Sequence, residues 1–387
     1  MFSRPSNTPF VCARCLSRQA RRLYATVSAS KTAPQQPPPS GAAKLSNRRL
    51  ISLHGQETPK FLQGIITNNV RTDSLAGFYA AFLTAQGKVL HDTFVYPTPG
   101  SQWHKQQRPD DDPGYLVEVD AEQADLLMKH LKRHKLRSKF KLRLIEPDEL
   151  GIWSLWREGE RWTAHGQPKT DEGIISLTDC RAPGMGERLI LSDPQVEDAL
   201  KEVEQSSLEA YTIRRYLRGV PEGQKEMPRD DCLPMNCNID IMGGIDFKKG
   251  CYVGQELTIR THHTGVVRRR ILPVSLYQHG QNAPELLEYS SSSTMSAGTL
   301  AGFDIKRDDK RKRSTGKLIA GVGNIGLGMC RLEQMTDLKV SSEPSSFQLE
   351  DKFLIQSSDG KEIGVRAFVP DWVRGSIREP KMQKRVE

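Results

Sequence analysis

One run of this 387-residue chain sets a thiol where it could do chemistry. In Lys248-Lys249-Gly250-Cys251-Tyr252-Val253-Gly254-Gln255-Glu256-Leu257-Thr258-Ile259-Arg260 a single cysteine follows two lysines and precedes a helix-forming stretch. Gly250 is expected to let the backbone turn tightly. The helix expected from about Val253 onward carries Glu256 and Arg260 at i,i+4, the spacing that pairs opposite charges. A cysteine at the start of a helix lies in the positive end of its dipole, and lysines add cationic field. Both favour the thiolate, the nucleophilic and metal-binding form. The alternative for Cys251 is a small hydrophobe packed beside Tyr252 and Val253, since free cysteines are among the most buried residue types. His262 and His263 could supply a nitrogen ligand only if the helix bent back, because at ~1.5 Å rise per residue they lie roughly 16 Å from the thiol.

The other cysteines are Cys12, Cys15, Cys180, Cys232, Cys237 and Cys330; an odd total of seven without a secretory signal argues against a disulfide framework. Cys232 and Cys237 are irregularly spaced with no second pair, so they do not read as a zinc site. Cys12 and Cys15 fall in a leader. Residues 1–44 hold seven basic residues and no acid, and lack a continuous apolar core, which reads as a mitochondrial transit peptide followed by a disordered proline-rich spacer from Pro34 to Gly41. The formal charge of +9 belongs there: the remainder carries 49 basic against 47 acidic residues, which argues against a nucleic-acid binder. No run of 18 apolar residues exists, so no membrane span is expected.

The elements that must position the thiol follow in order. Thr58 is expected to cap a short helix with Pro59 in its first turn, running through Phe61-Leu62-Gln63-Gly64 toward Thr67-Asn68-Asn69. Phe78–Thr84 and Lys88–Tyr96 read as a hairpin about Gln86-Gly87, and 97–114 as a polar loop in which Asp110, Asp111 and Asp112 are solvated. A strand at Tyr115–Val119 leads to a helix with Asp120 as cap, Ala124, Leu127, Met128 and Leu131 on its apolar face and a solvated basic face opposite. A second set of strands and helices follows to Leu217. After Gly265 come basic residues Arg268, Arg269 and Arg270, then a low-complexity insert over about 280–315, and four further strands. The order predicts an α+β fold with two related halves and a small C-terminal β-barrel.

The eight residues Lys249-Gly250-Cys251-Tyr252-Val253-Gly254-Gln255-Glu256 resemble the signature of the YgfZ-like branch of the folate-binding aminomethyltransferase (glycine cleavage T-protein) superfamily. The run from Leu233-Pro234-Met235 through Gly243-Gly244-Ile245-Asp246-Phe247 to Arg260-Thr261-His262-His263-Thr264-Gly265-Val266 resembles its mitochondrial branch of iron–sulfur assembly factors, and Phe61-Leu62-Gln63-Gly64 with Thr67-Asn68 is similar to a second superfamily signature. The resemblance implies a folate-binding body over 45–265, with pseudo-symmetric halves around a central channel, and a barrel domain over 266–387. It implies tetrahydrofolate binding, for which Asn68, Asp92 and Asn236 are the candidates. It also implies a functional thiol at Cys251 within a motif of Lys249, Gly250, Tyr252, Gly254, Gln255, Glu256 and Arg260.

The transferases of the superfamily carry an acidic pair where this chain has Leu90-His91-Asp92, so His91 stands for one carboxylate and aminomethyl transfer is not expected. Asn236 likewise stands where mitochondrial relatives tend to have glutamate. The function implied is late-acting cluster assembly in the mitochondrial matrix, helping convert 2Fe–2S into 4Fe–4S clusters for aconitase-type and lipoate-forming enzymes. A-type scaffold proteins would be the partners and Cys251 a shared ligand, since one thiolate cannot hold a cluster alone. The alternative is a folate-dependent one-carbon transferase acting on a protein, amine or tRNA; whether the chain turns over a substrate of its own stays open.

Overall fold

The computed structural model describes residues 34–107, 112–159, 173–309, 313–342 and 345–377. The expected transit peptide, Cys12 and Cys15, Asp110 and Asp111, and Lys310 to Lys312 therefore lie outside the described residues. In chain order the body comprises β1 (Ser40–Lys44), β2 (Arg48–His54), α1 (Thr58–Ile65), β3 (Phe78–Leu83), β4 (Val89–Pro97), α2 (Gln102–Gln107), β5 (Gly114–Asp120), α3 (Ala124–Lys135), β6 (Lys141–Leu144), β7 (Gly151–Arg157), β8 (Ile175–Thr178), β9 (Glu187–Leu191), α4 (Asp193–Leu200), β10 (Gln205–Ser206), α5 (Leu208–Arg218) and α6 (Gln255–Thr264). The barrel follows with β11 (Arg269–Gln278), β12 (Asp304–Arg307), β13 (Ser314–Val322), β14 (Ile325–Arg331), α7 (Leu332–Met335), β15 (Phe353–Gln356), β16 (Glu362–Ala367) and α8 (Asp371–Ser376).

The body holds two five-stranded sheets, ordered β3-β4-β5-β2-β6 and β10-β1-β7-β9-β8, and the last six strands close as a barrel in the order β11-β14-β13-β12-β15-β16. The two sheets are the counterpart of the two halves expected from the sequence. Both contribute to one apolar cluster, with Tyr79, Phe94 and Tyr96 from the first and Ile152, Trp156 and Ile190 from the second. Ile271, Ile325 and Leu327 of the barrel join the same cluster, so the barrel packs onto the body through continuous core. No helix among the described residues is long and apolar enough to cross a membrane.

Four local expectations are corrected. The spacer is not spacer to its end: β1 pairs with β7 and β10, and Ala42 and Ala43 are fully buried. Its Gly and Ala residues give no hydrophobic signal, yet a Cβ on Gly41 would lie 2.7 Å from the Ser206 hydroxyl and 2.8 Å from the Trp156 ring, so small residues are what fit. Thr58 does not cap α1; Glu57 occupies that position without a side-chain bond, and Pro59 is in the first turn as expected. The polar stretch after Pro97 contains α2, which buries Trp103 and His104. The insert over 280–315 contributes β12, whose Ile305 points into the barrel core while it pairs with β13 and β15. Without β12 those two strands would leave unpaired edges, and Lys306 and Arg307 of the basic run that read as a mobile loop belong to this strand.

A candidate thiol site and the buried ionic core behind it

The two signature stretches, far apart in sequence, are in contact. Asp246 N donates to the Thr67 carbonyl at 3.1 Å, Thr67 Oγ1 to the Gly244 carbonyl at 2.6 Å, and Val253 N to the Gly64 carbonyl at 3.1 Å. The C-terminal end of α1 leaves carbonyls without intrahelical partners. Lys249 reaches back to this turn: its ammonium donates to the carbonyls of Gln63, Ile66 and Asn68 at 2.8, 2.8 and 2.7 Å. An ammonium has three N–H donors, and each finds an acceptor. Burial pulls the Lys249 pKa down to about 8. Tyr252 is buried beneath, with the Lys249 ammonium 5.0 Å from its ring centre.

Between these two anchors Cys251 is exposed, which removes the packing alternative for this thiol. It precedes the first residue of α6 by four positions, beyond the turn over which a helix dipole acts, so the dipole does not favour its thiolate as expected. Glu256 and Arg260 are both exposed and form no ion pair with one another among the described residues, so the expected i,i+4 contact is absent; two long solvated side chains gain too little to stay together. His262 stacks on Phe247 at 3.6 Å between ring centres, at the far end of α6 from Cys251.

The two motif glycines differ. Gly250 has open space around it and no left-handed backbone, so the tight turn expected there is not what the residue supplies. Gly254 has φ +82, and a Cβ there would stand 2.1 Å from the Thr84 carbonyl oxygen, where the β3–β4 hairpin packs on the motif. Gly250→Ala is expected to leave the melting temperature within about a degree, whereas Gly254→Ala is expected to cost roughly 2 kcal/mol or more through strain and the backbone clash. Thermal unfolding of both variants checks this; equal effects would contradict it.

Asp92, Asn68 and Asn236, the folate candidates, are not gathered together. Asn68 Nδ2 clasps the carbonyls of Tyr79 and Gly243 at 2.8 and 2.9 Å. Asn236 lines a groove of about 360 Å³ beside Leu257, Thr258 and Thr261 of α6. Asp92 belongs to a buried ionic cluster that the sequence reading missed. Its members are Arg48, Arg181, Arg188 and Arg215 with Asp92, Glu118, Asp179, Glu222 and Glu226, none more than 6% exposed. Arg48 Nε donates to Glu118 at 2.7 Å, Arg215 to both oxygens of Glu226 at 2.6 and 2.9 Å, and Arg181 to both oxygens of Asp179 at 2.9 and 2.7 Å. Arg188 on β9 bridges Glu118 on β5 and Glu222 after α5, joining the two sheets.

Burial opposes the charge on Glu222, but Arg188 and Arg181 outweigh it and hold its pKa well below the carboxylate range. For Asp92 the balance reverses: burial pushes its pKa up against the pull of Arg48. Six polar atoms of this region are buried without a hydrogen-bond partner among the described residues: Asp92 Oδ2, Glu222 Oε1, Arg48 Nη2, Tyr79 Oη, Arg181 Nη1 and Arg215 Nε.

His91 neighbours Asp92 on β4, and strand alternation turns it to the opposite face. Its Nε2 accepts from Arg229, and burial first, then Arg229, lowers its pKa to about 3. The folded value lies below the ordinary 6.5, so between the two the unfolded chain binds a proton that the folded chain refuses. Stability is expected to fall as pH drops through this interval, by roughly 3 kcal/mol from pH 7 to pH 4 for this one group. His91→Gln should flatten that slope in urea titrations across the interval; an unchanged slope would contradict the assignment.

Residues 268–375 match the family model of the CAF17 C-terminal beta-barrel domain. A Pyricularia oryzae protein named iron-sulfur cluster assembly factor IBA57 homolog, mitochondrial, is 44% identical over 379 residues, covering 95% of this chain and 93% of its own. The proteins of the same name from Aspergillus oryzae and Coccidioides immitis are 43% and 42% identical, covering 95% of this chain and 90% and 91% of theirs. This chain belongs to the mitochondrial IBA57 family. The expectation of a mitochondrial iron–sulfur assembly family is thereby met. For the fold, the IBA57-family chain is similar to the solved glycine cleavage system aminomethyltransferase T from Bartonella henselae, with TM-score 0.59 at 13% identity over 91% of this chain and 89% of that one. The likeness is one of fold, and the α+β body with its closed barrel agrees with it.

Proposed function

We propose that this chain acts late in iron–sulfur assembly in the mitochondrial matrix, helping convert 2Fe–2S into 4Fe–4S clusters held by an A-type scaffold partner. The observation that carries this reading is the exposed Cys251 thiol on a loop anchored at Lys249 and Val253. A cluster normally takes four ligands, so a single presented thiolate suits a shared ligand that completes a site on another protein. The cluster is cargo here, and no turnover of the chain's own is required.

Tetrahydrofolate fits the same body. The orphaned atoms of Asp92, Glu222, Arg48 and Tyr79 offer both acceptors and donors, the set a pterin ring with amino, amide N–H and carbonyl groups would need. Those four residues, and not Asn68 or Asn236, are the ones we assign to hold it. A bound tetrahydrofolate carries one-carbon units, which is the basis of the alternative reading as a one-carbon transferase. Against that reading, His91 faces away from Asp92 and stays neutral.

Replacing the endogenous protein with Cys251→Ser and assaying aconitase and protein lipoylation tests the proposal. A cluster-independent matrix enzyme serves as control. Both activities are expected to fall to near the level of a deletion, with the control and the protein's abundance unchanged. Normal aconitase and lipoylation would overturn the role given to the thiol.

A further inference from the structure

Two thiols that this function leaves unused meet at the seam between body and barrel. Cys232 and Cys237 stand at either end of a tight turn, in which Cys237 N donates to the Leu233 and Pro234 carbonyls at 3.3 and 3.2 Å. Burial first, then the neighbouring Cys232 thiol, raises the pKa of the Cys237 thiol. Both line a cavity of about 410 Å³ whose opposite wall is the outer face of β11, β13 and β14. Cys237 is fully enclosed, while Cys232 keeps 8% of its surface open.

The barrel wall adds a second observation. Arg269 and Arg331 lie directly opposite each other in the antiparallel β11–β14 register, and both line the cavity. Like charges set opposite each other destabilise a ladder. Neither guanidinium has a carboxylate partner among the described residues, whereas Lys317 on the same wall at least faces Asp304 across β12–β13. The cavity thus combines a dithiol, two uncompensated guanidiniums suited to carboxylates, and a volume in the range of small-molecule sites.

We propose that this seam cavity is a thiol–disulfide exchange site for a small carboxylate-bearing disulfide of the glutathione class, and that exchange there closes a Cys232–Cys237 disulfide. Cys232, the thiol with access, gives its proton to solvent and attacks one sulfur of the small disulfide. That S–S bond breaks, and one small thiol departs after taking up a proton. Cys237 then loses its proton and attacks the Cys232 sulfur of the mixed disulfide, releasing the second small thiol. Two protein thiols are oxidised by two electrons in all, and the small disulfide is reduced to two thiols, so no other oxidant is needed. The order of roles follows from burial, which holds the Cys237 thiol protonated well above the usual range and so makes it the resolving partner.

The test uses the full-length protein with oxidised glutathione, followed by acid quench, alkylation and non-reducing peptide mapping. Wild type and Cys251→Ser are both expected to give the linked Cys232 and Cys237 peptides, and Cys237→Ser to stop at a glutathione adduct on Cys232. Replacing Arg269 and Arg331 together with alanine should slow the reaction about tenfold at low salt. It should leave the rate with the uncharged hydroxyethyl disulfide unchanged. The proposal is overturned if Cys232 and Cys237 remain free in the folded protein while Cys251 alone takes glutathione. Equal slowing with both disulfides would overturn the carboxylate-bearing ligand class.

Discussion

Arg188→Leu is expected to remove about 3–5 kcal/mol of folding stability, because it leaves Glu118, Asp179 and Glu222 facing an uncompensated deficit inside the protein. The guanidinium is fully buried, its centre 4.1 Å from the Phe94 ring centre, and it also bonds Tyr211 Oη. Its loss leaves three arginines against five carboxylates. In the intact cluster four arginines meet five acids, and burial pushes the Asp92 pKa upward against the pull of Arg48. Domains are typically stable by about 5–15 kcal/mol, so the variant should show a much lower urea midpoint or accumulate unfolded. Arg143→Leu is the contrasting case: its pair with Glu149 is half-exposed at 45% and 26%, and about 1 kcal/mol or less is expected. Similar losses in the two variants would contradict the weight given to burial.

Lys249→Met is expected to abolish the function of a thiol that is still present. The substitution strips the donors from three carbonyls at the end of α1 and frees the loop that carries Cys251. Unmaking charged hydrogen bonds and orphaning their acceptors should cost roughly 2–4 kcal/mol. Lys249→Arg is not expected to rescue, since a planar fork cannot cap three converging carbonyls as a compact ammonium does. The check is a paired one: melting temperature, and aconitase maturation measured at a temperature where the variant remains folded. Full maturation under that condition would show that the anchor is dispensable.

Much of this architecture was legible in the residues. The hairpin about Gly87, the apolar face of α3, and the barrel strands after β12 all show their periodicity, and each forms within a few residues of where it reads. The two signature stretches marked the thiol loop, although that they touch each other was not readable from either. What the sequence hid was charge turned inward. Glu118 sits in Tyr115–Val119 with apolar neighbours on both sides, and Arg188 in a strand otherwise apolar on one face. Such residues read as the solvated face of a strand until the partner sheet is known, because their partners lie 70 positions away, as with Arg188 and Glu118. The Glu256–Arg260 spacing misled in the opposite sense: it permits a contact that exposed side chains do not make. β1 and β12 escaped because strands of alanine, or of one isoleucine among charges, become strands only through the sheet they complete.

The central claim is that Cys251 is presented to cluster cargo and does not merely pack. Its most direct measurement is a reconstitution with purified wild type and Cys251→Ser, each added to an A-type scaffold carrying 2Fe–2S clusters, an electron donor and apo-aconitase. Substituting an exposed cysteine should leave both proteins equally stable. Wild type is expected to activate aconitase with a 4Fe–4S signature in the Mössbauer spectrum, and Cys251→Ser to stay at the level without added protein. Equal activation by the two would contradict the account.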